Sequence, residues 1–130
     1  FERPLNERGI KAAPFMGRLM TEKHFQPDLI LSSPAARAKQ TALMVKMAGA
    51  MTADIRYDER IYEASPLRLM EVVAETENSV HAVLLIGHNP GLEGLVKFLT
   101  GELHALPTAA LAVIELKIDD WKSVHPDCCT

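Results

Sequence analysis

Residues Ala82-Val83-Leu84-Leu85-Ile86 form a run of five residues with no polar side chain. A run of that length, bounded by Gly87, reads as a strand whose alternate side chains both need cover. A sheet covered on both faces is characteristic of parallel α/β architecture. Leu29-Ile30-Leu31 is a second, shorter run of the same kind. Each run leads directly into a helix-start signal. Ser32-Ser33-Pro34 follows the first and Gly87-His88-Asn89-Pro90-Gly91 the second.

The rest of the chain fills in the alternation. The spacing of Ile10, Ala13, Met16 and Met20 predicts a helix from Asn6, its N-cap, to about Lys23, with Pro14 expected to kink it or confine its regular part to one side. Ser33 as N-cap and Pro34 in the first turn predict a helix to about Ala48, stopped by Gly49. Ile55–Tyr57 reads as a short strand and Pro66 to about Glu77 as a helix. A helix capped by Asn89 runs to about Leu99 and is ended by Gly101. Leu111–Ile118 is a last strand, Asp119-Asp120 a turn, and the tail from Trp121 is edge structure or loosely ordered. Helix and strand alternate throughout, so the expected fold is a three-layer α/β/α sandwich around a mostly parallel sheet.

The 130 residues suit one domain, 1–130. A net charge of −3 excludes a basic blanket for nucleic acid or an anionic membrane. No apolar run reaches membrane-spanning length. Cys128 and Cys129 are adjacent and lack metal or redox spacing, and the lack of a disulfide framework leans towards the cytoplasm. No P-loop, dinucleotide fingerprint or zinc spacing is present. Met44 and Met47 read as core or near-core residues, and Glu93 as a helix-dipole partner in a first turn.

Parallel sheets bind ligands outside the carboxyl ends of their strands. Both helix-start loops lie there. Arg37, about one turn into its helix, leans back towards the strand end and the positive helix terminus, a combination suited to phosphate. An ordinary surface arginine would look the same in sequence. His88, delivered by a buried strand into a glycine-bounded loop, is suited to bond phosphate, to move a proton or to attack. It could equally satisfy a loop carbonyl.

Three segments, in order, extend this reading. Ser32–Ala42 resembles the Ser…Arg-x-x-Gln-Thr element of the histidine phosphatase (phosphoglycerate mutase-like) superfamily, here Arg37-Ala38-Lys39-Gln40-Thr41. Gly87–Gly91 resembles that family's second histidine motif. Leu5-Asn6-Glu7-Arg8-Gly9, with Ala13, is similar to its L-[TN]-x-x-G-x-x-x-A element. The short chain most resembles the SixA-type phosphohistidine phosphatase branch.

The resemblance implies a covalent phosphohistidine mechanism without metal or cofactor. Arg37 would clamp phosphate and His88 would bond a phosphoryl oxygen. Arg3 aligns with a substrate-contacting arginine, and Glu63 in Ile61-Tyr62-Glu63 with the general acid of related branches. The implied substrate is a phosphorylated protein, for example a phosphotransfer domain of a signalling relay, or else a small phosphoester. The family's nucleophile lies in an Arg-His motif at the end of its first strand, and no Arg-His pair occurs in these 130 residues. That motif and its central strand are expected upstream of Phe1, and the 130 residues alone are expected to be inactive and unstable.

Overall fold

The computed structural model describes residues 7–23, 26–62, 64–88, 91–102 and 121. Its elements are α1 (Glu7–Glu22), β1 (Leu29–Ser32), α2 (Ala36–Ala48), β2 (Asp54–Tyr57), a 3-10 turn (Glu59–Ile61), α3 (Pro66–Ala74), β3 (Val83–Ile86) and α4 (Gly91–Thr100). The three strands form a parallel sheet in the order β2-β1-β3. The α/β expectation is met. The Leu111–Ile118 strand, the Asn6 and Asn89 caps, Pro90 and the cysteine pair lie outside the described residues.

β1 is the middle strand and is buried at all four positions. Leu29 and Leu31 enter a cluster with Ile61, Leu69, Val72 and Leu95. Ile30, fully buried, enters another with Met20, Ala42, Val45 and Met51. The first cluster draws on α3 and α4, the second on α1 and α2, so helices cover both faces. The all-apolar run that becomes β3 is half-buried at every position instead.

Several boundaries differ from those the sequence predicts. Helix α1 runs unbroken through Pro14. Its second half is fixed from outside, by packing on α2, so the missing proline N–H does not end it. Ser33 is not the cap of α2; Ala35 is, and Pro34 lies before the helix. The Ser33 N–H continues the ladder onto the Ile86 carbonyl at 3.0 Å, and Pro34 biases the residue before it to extended backbone. Ser33 therefore belongs to the strand end. Helix α3 ends at Ala74 rather than Glu77, because the Glu75 and Thr76 amides turn back to the Val72 and Val73 carbonyls. Its N-terminal signal reads as expected, with Ser65 Oγ accepting from the Arg68 N–H and Pro66 in the first turn. Met44 packs on the core, but Met47 is 79% exposed because it faces away from α1 and the sheet.

Gly49 does cap α2, but the left-handed residue after it is Ala50, at φ 51°. What requires glycine at 49 is proximity. A Cβ there would stand 2.8 Å from the Gly17 carbonyl oxygen. A Cβ on Gly17 would in turn run into the Val45 carbonyl oxygen. Thr21 fastens the same crossing, donating from Oγ1 to the Gly49 carbonyl at 2.7 Å. Replacing a helical glycine with alanine ordinarily stabilises a helix by about 1 kcal/mol. At Gly17 the steric term opposes this and is larger, typically about 1–3 kcal/mol for overpacking. Gly17→Ala is therefore expected to lower the urea midpoint, although the substitution favours helix.

Candidate functional site at the carboxyl edge of the sheet

The site is built by register. Ser32 on β1 lies opposite Ile86 on β3, so both chains leave the sheet at the same level and on adjacent strands. The next residues, Ser33 and then Gly87-His88, emerge side by side. Arg37 is the second residue of α2, close above the end of β1. The first-turn amides of such a helix have no intrahelical acceptors and carry its positive dipole end.

These residues meet directly. Arg37 Nη2 lies 3.1 Å from His88 Nδ1, and His88 Nε2 lies 2.8 Å from Ser33 Oγ. Ser33 is completely buried, and its Oγ also accepts from the Ala35 N–H at 3.2 Å. Tyr62 sets its ring against that of His88, edge to face, with centroids 5.3 Å apart. The His88 carbonyl accepts from the Leu92 N–H at 3.1 Å, which ties the loop to α4.

The donors settle the chemistry of this contact. A guanidinium only donates, so His88 Nδ1 must be the acceptor of the Arg37 bond. The ring is then neutral, with its proton on Nε2, and Nε2 donates to Ser33. The Ser33–His88 pair has the spacing of a serine nucleophile and its base, yet the nitrogen facing the hydroxyl already carries the proton. In this arrangement His88 cannot activate Ser33 as a base. What remains is a cation, a ring nitrogen and a helix start gathered at one strand edge, an arrangement suited to a phosphate-like anion.

A second polar group supports the site from below. Asp58 donates its N–H to the Ser32 carbonyl at 3.0 Å and accepts from the Arg60 N–H at 2.9 Å, capping the 3-10 turn. The Arg60 guanidinium bonds Asp58 Oδ2 at 2.7 Å and both Glu75 oxygens, at 2.6 and 2.8 Å. This clasp joins the turn that carries Tyr62 to the end of α3. Arg56 and Glu77 pair beside it at 3.0 Å. The cleft between these groups is lined by Leu31, Val72 and Thr76 as well, and it contains none of the residues around His88.

The sequence-derived candidates divide accordingly. Arg37 and His88 are brought together. Arg3 and Glu63 lie outside the described residues. Ser33 was legible only as a cap and Tyr62 only as a neighbour of Glu63. The signal for Ser33 was Pro34, which keeps the residue before it out of the helix and at the strand end. Lys39, two residues past Arg37, places its Nζ 5.4 Å from the centroid of the Tyr57 ring, on the β2 side of the same edge.

The structure thus defines a parallel α/β protein with a compact anion-suited site where two neighbouring strands end. The chain belongs to the histidine phosphatase superfamily (branch 1), whose family model matches residues 2–82. A Mycobacterium tuberculosis protein of uncharacterised function is 30% identical, over 98% of this chain and 84% of the relative. A candidate phosphohistidine phosphatase SixA from Agrobacterium tumefaciens is structurally similar at TM-score 0.72 and 36% identity, covering 78% of this chain and 64% of that one. The chain therefore spans under two thirds of that solved chain. A SixA protein histidine phosphatase complexed with tungstate shares the fold at TM-score 0.67 and 23% identity, covering 81% of this chain and 69% of that one. Among the described residues, no helix is long and apolar enough to cross a membrane.

The clasp has a pH signature. Hydrogen bonding to Arg60 holds the Asp58 and Glu75 carboxyls below their ordinary ranges. A carboxyl held low in the folded state stabilises it above the unfolded pKa, and that contribution is lost as pH falls through the folded value. Arg60→Met is therefore expected to lower the urea midpoint at about pH 7, and the gap from wild type is expected to close towards about pH 2. A gap independent of pH would assign Arg60 a packing role only.

Proposed function

We propose that this chain is the phosphoryl-binding part of a phosphohistidine phosphatase. The observation that carries the reading is the 3.1 Å contact of Arg37 with His88 beside the start of α2. On this reading Arg37 holds phosphoryl oxygens as a guanidinium fork, and His88 bonds another oxygen. Positive groups of this kind supply much of phosphoryl-transfer catalysis by stabilising charge on the equatorial oxygens.

The reaction has two displacements. A histidine nitrogen attacks phosphorus while the P–N bond to the substrate imidazole breaks, and the departing ring takes a proton. Water then attacks the enzyme's phosphohistidine and releases phosphate. An imidazole leaving group is protonated readily, so the first step demands less of an acid than an alkoxide would. Glu63 is the proposed acid for more demanding substrates, and Arg3 a proposed contact to substrate. The attacking histidine is not among the 130 residues, since no Arg-His pair occurs in them. The reading requires it in the encoded sequence upstream of Phe1.

A phosphorylated protein, such as a phosphotransfer domain, is the proposed substrate. A small-molecule phosphomonoesterase and a phosphoryl-binding module without turnover are the alternatives. An Arg-His-Gly or Arg-His-Ala triplet after an upstream apolar run supports the enzyme, and another residue in the histidine's place supports the binding module. Faster release of phosphate from a phosphohistidine protein than from p-nitrophenyl phosphate separates the two enzymes. In the protein carrying that triplet, Arg37→Ala is expected to reduce phosphohistidine turnover by orders of magnitude. In the 130-residue chain it is expected to weaken phosphate binding by about 2 kcal/mol, roughly thirtyfold, with the far-ultraviolet spectrum unchanged. Unchanged binding in a folded Arg37→Ala protein would remove Arg37 from the site.

A further inference from the structure

We infer that Ser33 is a positioning residue for His88, anchoring Nε2 so that an incoming oxyanion meets the ring at Nδ1 in place of Arg37, and that the ring takes up one proton as this happens. The inference rests on the reading of Arg37 and His88 as a phosphoryl site and adds which nitrogen binds and what the protonation change must be.

Donor and acceptor chemistry decides which ring nitrogen changes partner. Both ring nitrogens are engaged, Nδ1 by Arg37 and Nε2 by Ser33. An anion offers only acceptors, and one gripped by both arms of the Arg37 fork takes the Nη2 donor away from His88. Once Arg37 turns to the anion, Nδ1 is left with a lone pair facing negative charge, which is repulsive. The ring relieves this by binding a proton from solvent at Nδ1, with no other bond broken, and then donates to the oxyanion. Rotating the ring to offer Nε2 instead would leave the buried Ser33 Oγ without its donor. Ser33 is fully buried, and its Oγ is held in place by the Ala35 N–H. The nitrogen that is free to change partner is therefore Nδ1.

Among the described residues, two groups set against the ring bear on the sign. Arg37 from α2 opposes a proton on Nδ1 while the site is empty, because its guanidinium occupies that nitrogen. Tyr62, from the segment after the 3-10 turn, presents an aromatic ring to the imidazole. Arrival of a dianion reverses the balance. Binding and proton uptake are thus linked, so affinity must fall as pH rises.

Tungstate is the probe. It is a tetrahedral dianion that carries no proton near neutral pH, so any proton taken up enters the protein. The full chain is titrated calorimetrically with tungstate at about pH 7 to about pH 8.5, in buffers of different ionisation heat, with nitrogen NMR of the His88 ring in parallel. The expected result is a neutral ring protonated at Nε2 without tungstate and an imidazolium with it. Uptake of about one proton and a Kd rising by up to about tenfold per pH unit accompany it. Ser33→Ala is expected to mix the two neutral ring forms and to weaken tungstate several-fold. A free ring protonated at Nδ1, or tungstate binding with buffer-independent heats and no pH dependence, overturns this inference and leaves the anion-site reading standing. Failure of the folded chain to bind tungstate at any of these pH values overturns both. The wild-type ring measurement decides the matter even if Ser33→Ala does not fold.

Discussion

The parallel register of β1 with β3 is the constraint on which the site depends. With Ser32 opposite Ile86, the two chains leave the sheet together, and a serine and a histidine 55 positions apart come within 2.8 Å. A shift of one residue in that pairing would turn every side chain to the other face. The register is held because β1 is buried on both faces, with Ile30 in one cluster and Leu29 and Leu31 in the other. Packing far from the edge thus sets geometry at the edge.

Much of this was legible in the sequence, for identifiable reasons. Apolar runs without polar interruption predicted strands, and strand-then-helix alternation predicted a parallel sheet. Arg37 and His88 stood out because each follows an apolar run at a helix-start signal. The weaker predictions concern competition between local and distant bonds. Ser33 has the composition of an N-cap, yet its hydroxyl is taken by His88 from another strand. Pro14 has the composition of a breaker, yet the helix continues where α2 supports it. Gly49 read as the helix stop and does cap α2, but what requires glycine there is the helix crossing, and Ala50 takes the left-handed backbone. Sequence patterns report local preference, and these positions are decided by partners up to 55 residues away.

The contact between Arg37 and His88 has two aspects. It joins a permanent cation to a ring through the one nitrogen able to accept, which fixes the tautomer. It also keeps both groups side by side at the strand edge, and shields the ring from acting as a base on the adjacent serine. One hydrogen bond therefore keeps this edge from working as a serine–histidine nucleophile pair, although the Ser33–His88 distance would fit one.

Asp58 has a wider consequence. It bonds the end of β1 through its amide and the 3-10 turn through its carboxylate, while Arg60 carries the connection outward to Glu75. The Glu75 side chain is 59% exposed, on the surface and remote from any ligand at the strand edge. Yet the same strut that it fastens supports the segment holding Tyr62 against the imidazole. A substitution at this outlying acidic position would therefore act as a tuning screw on ring orientation, adjusting the edge without altering Arg37, His88 or Ser33.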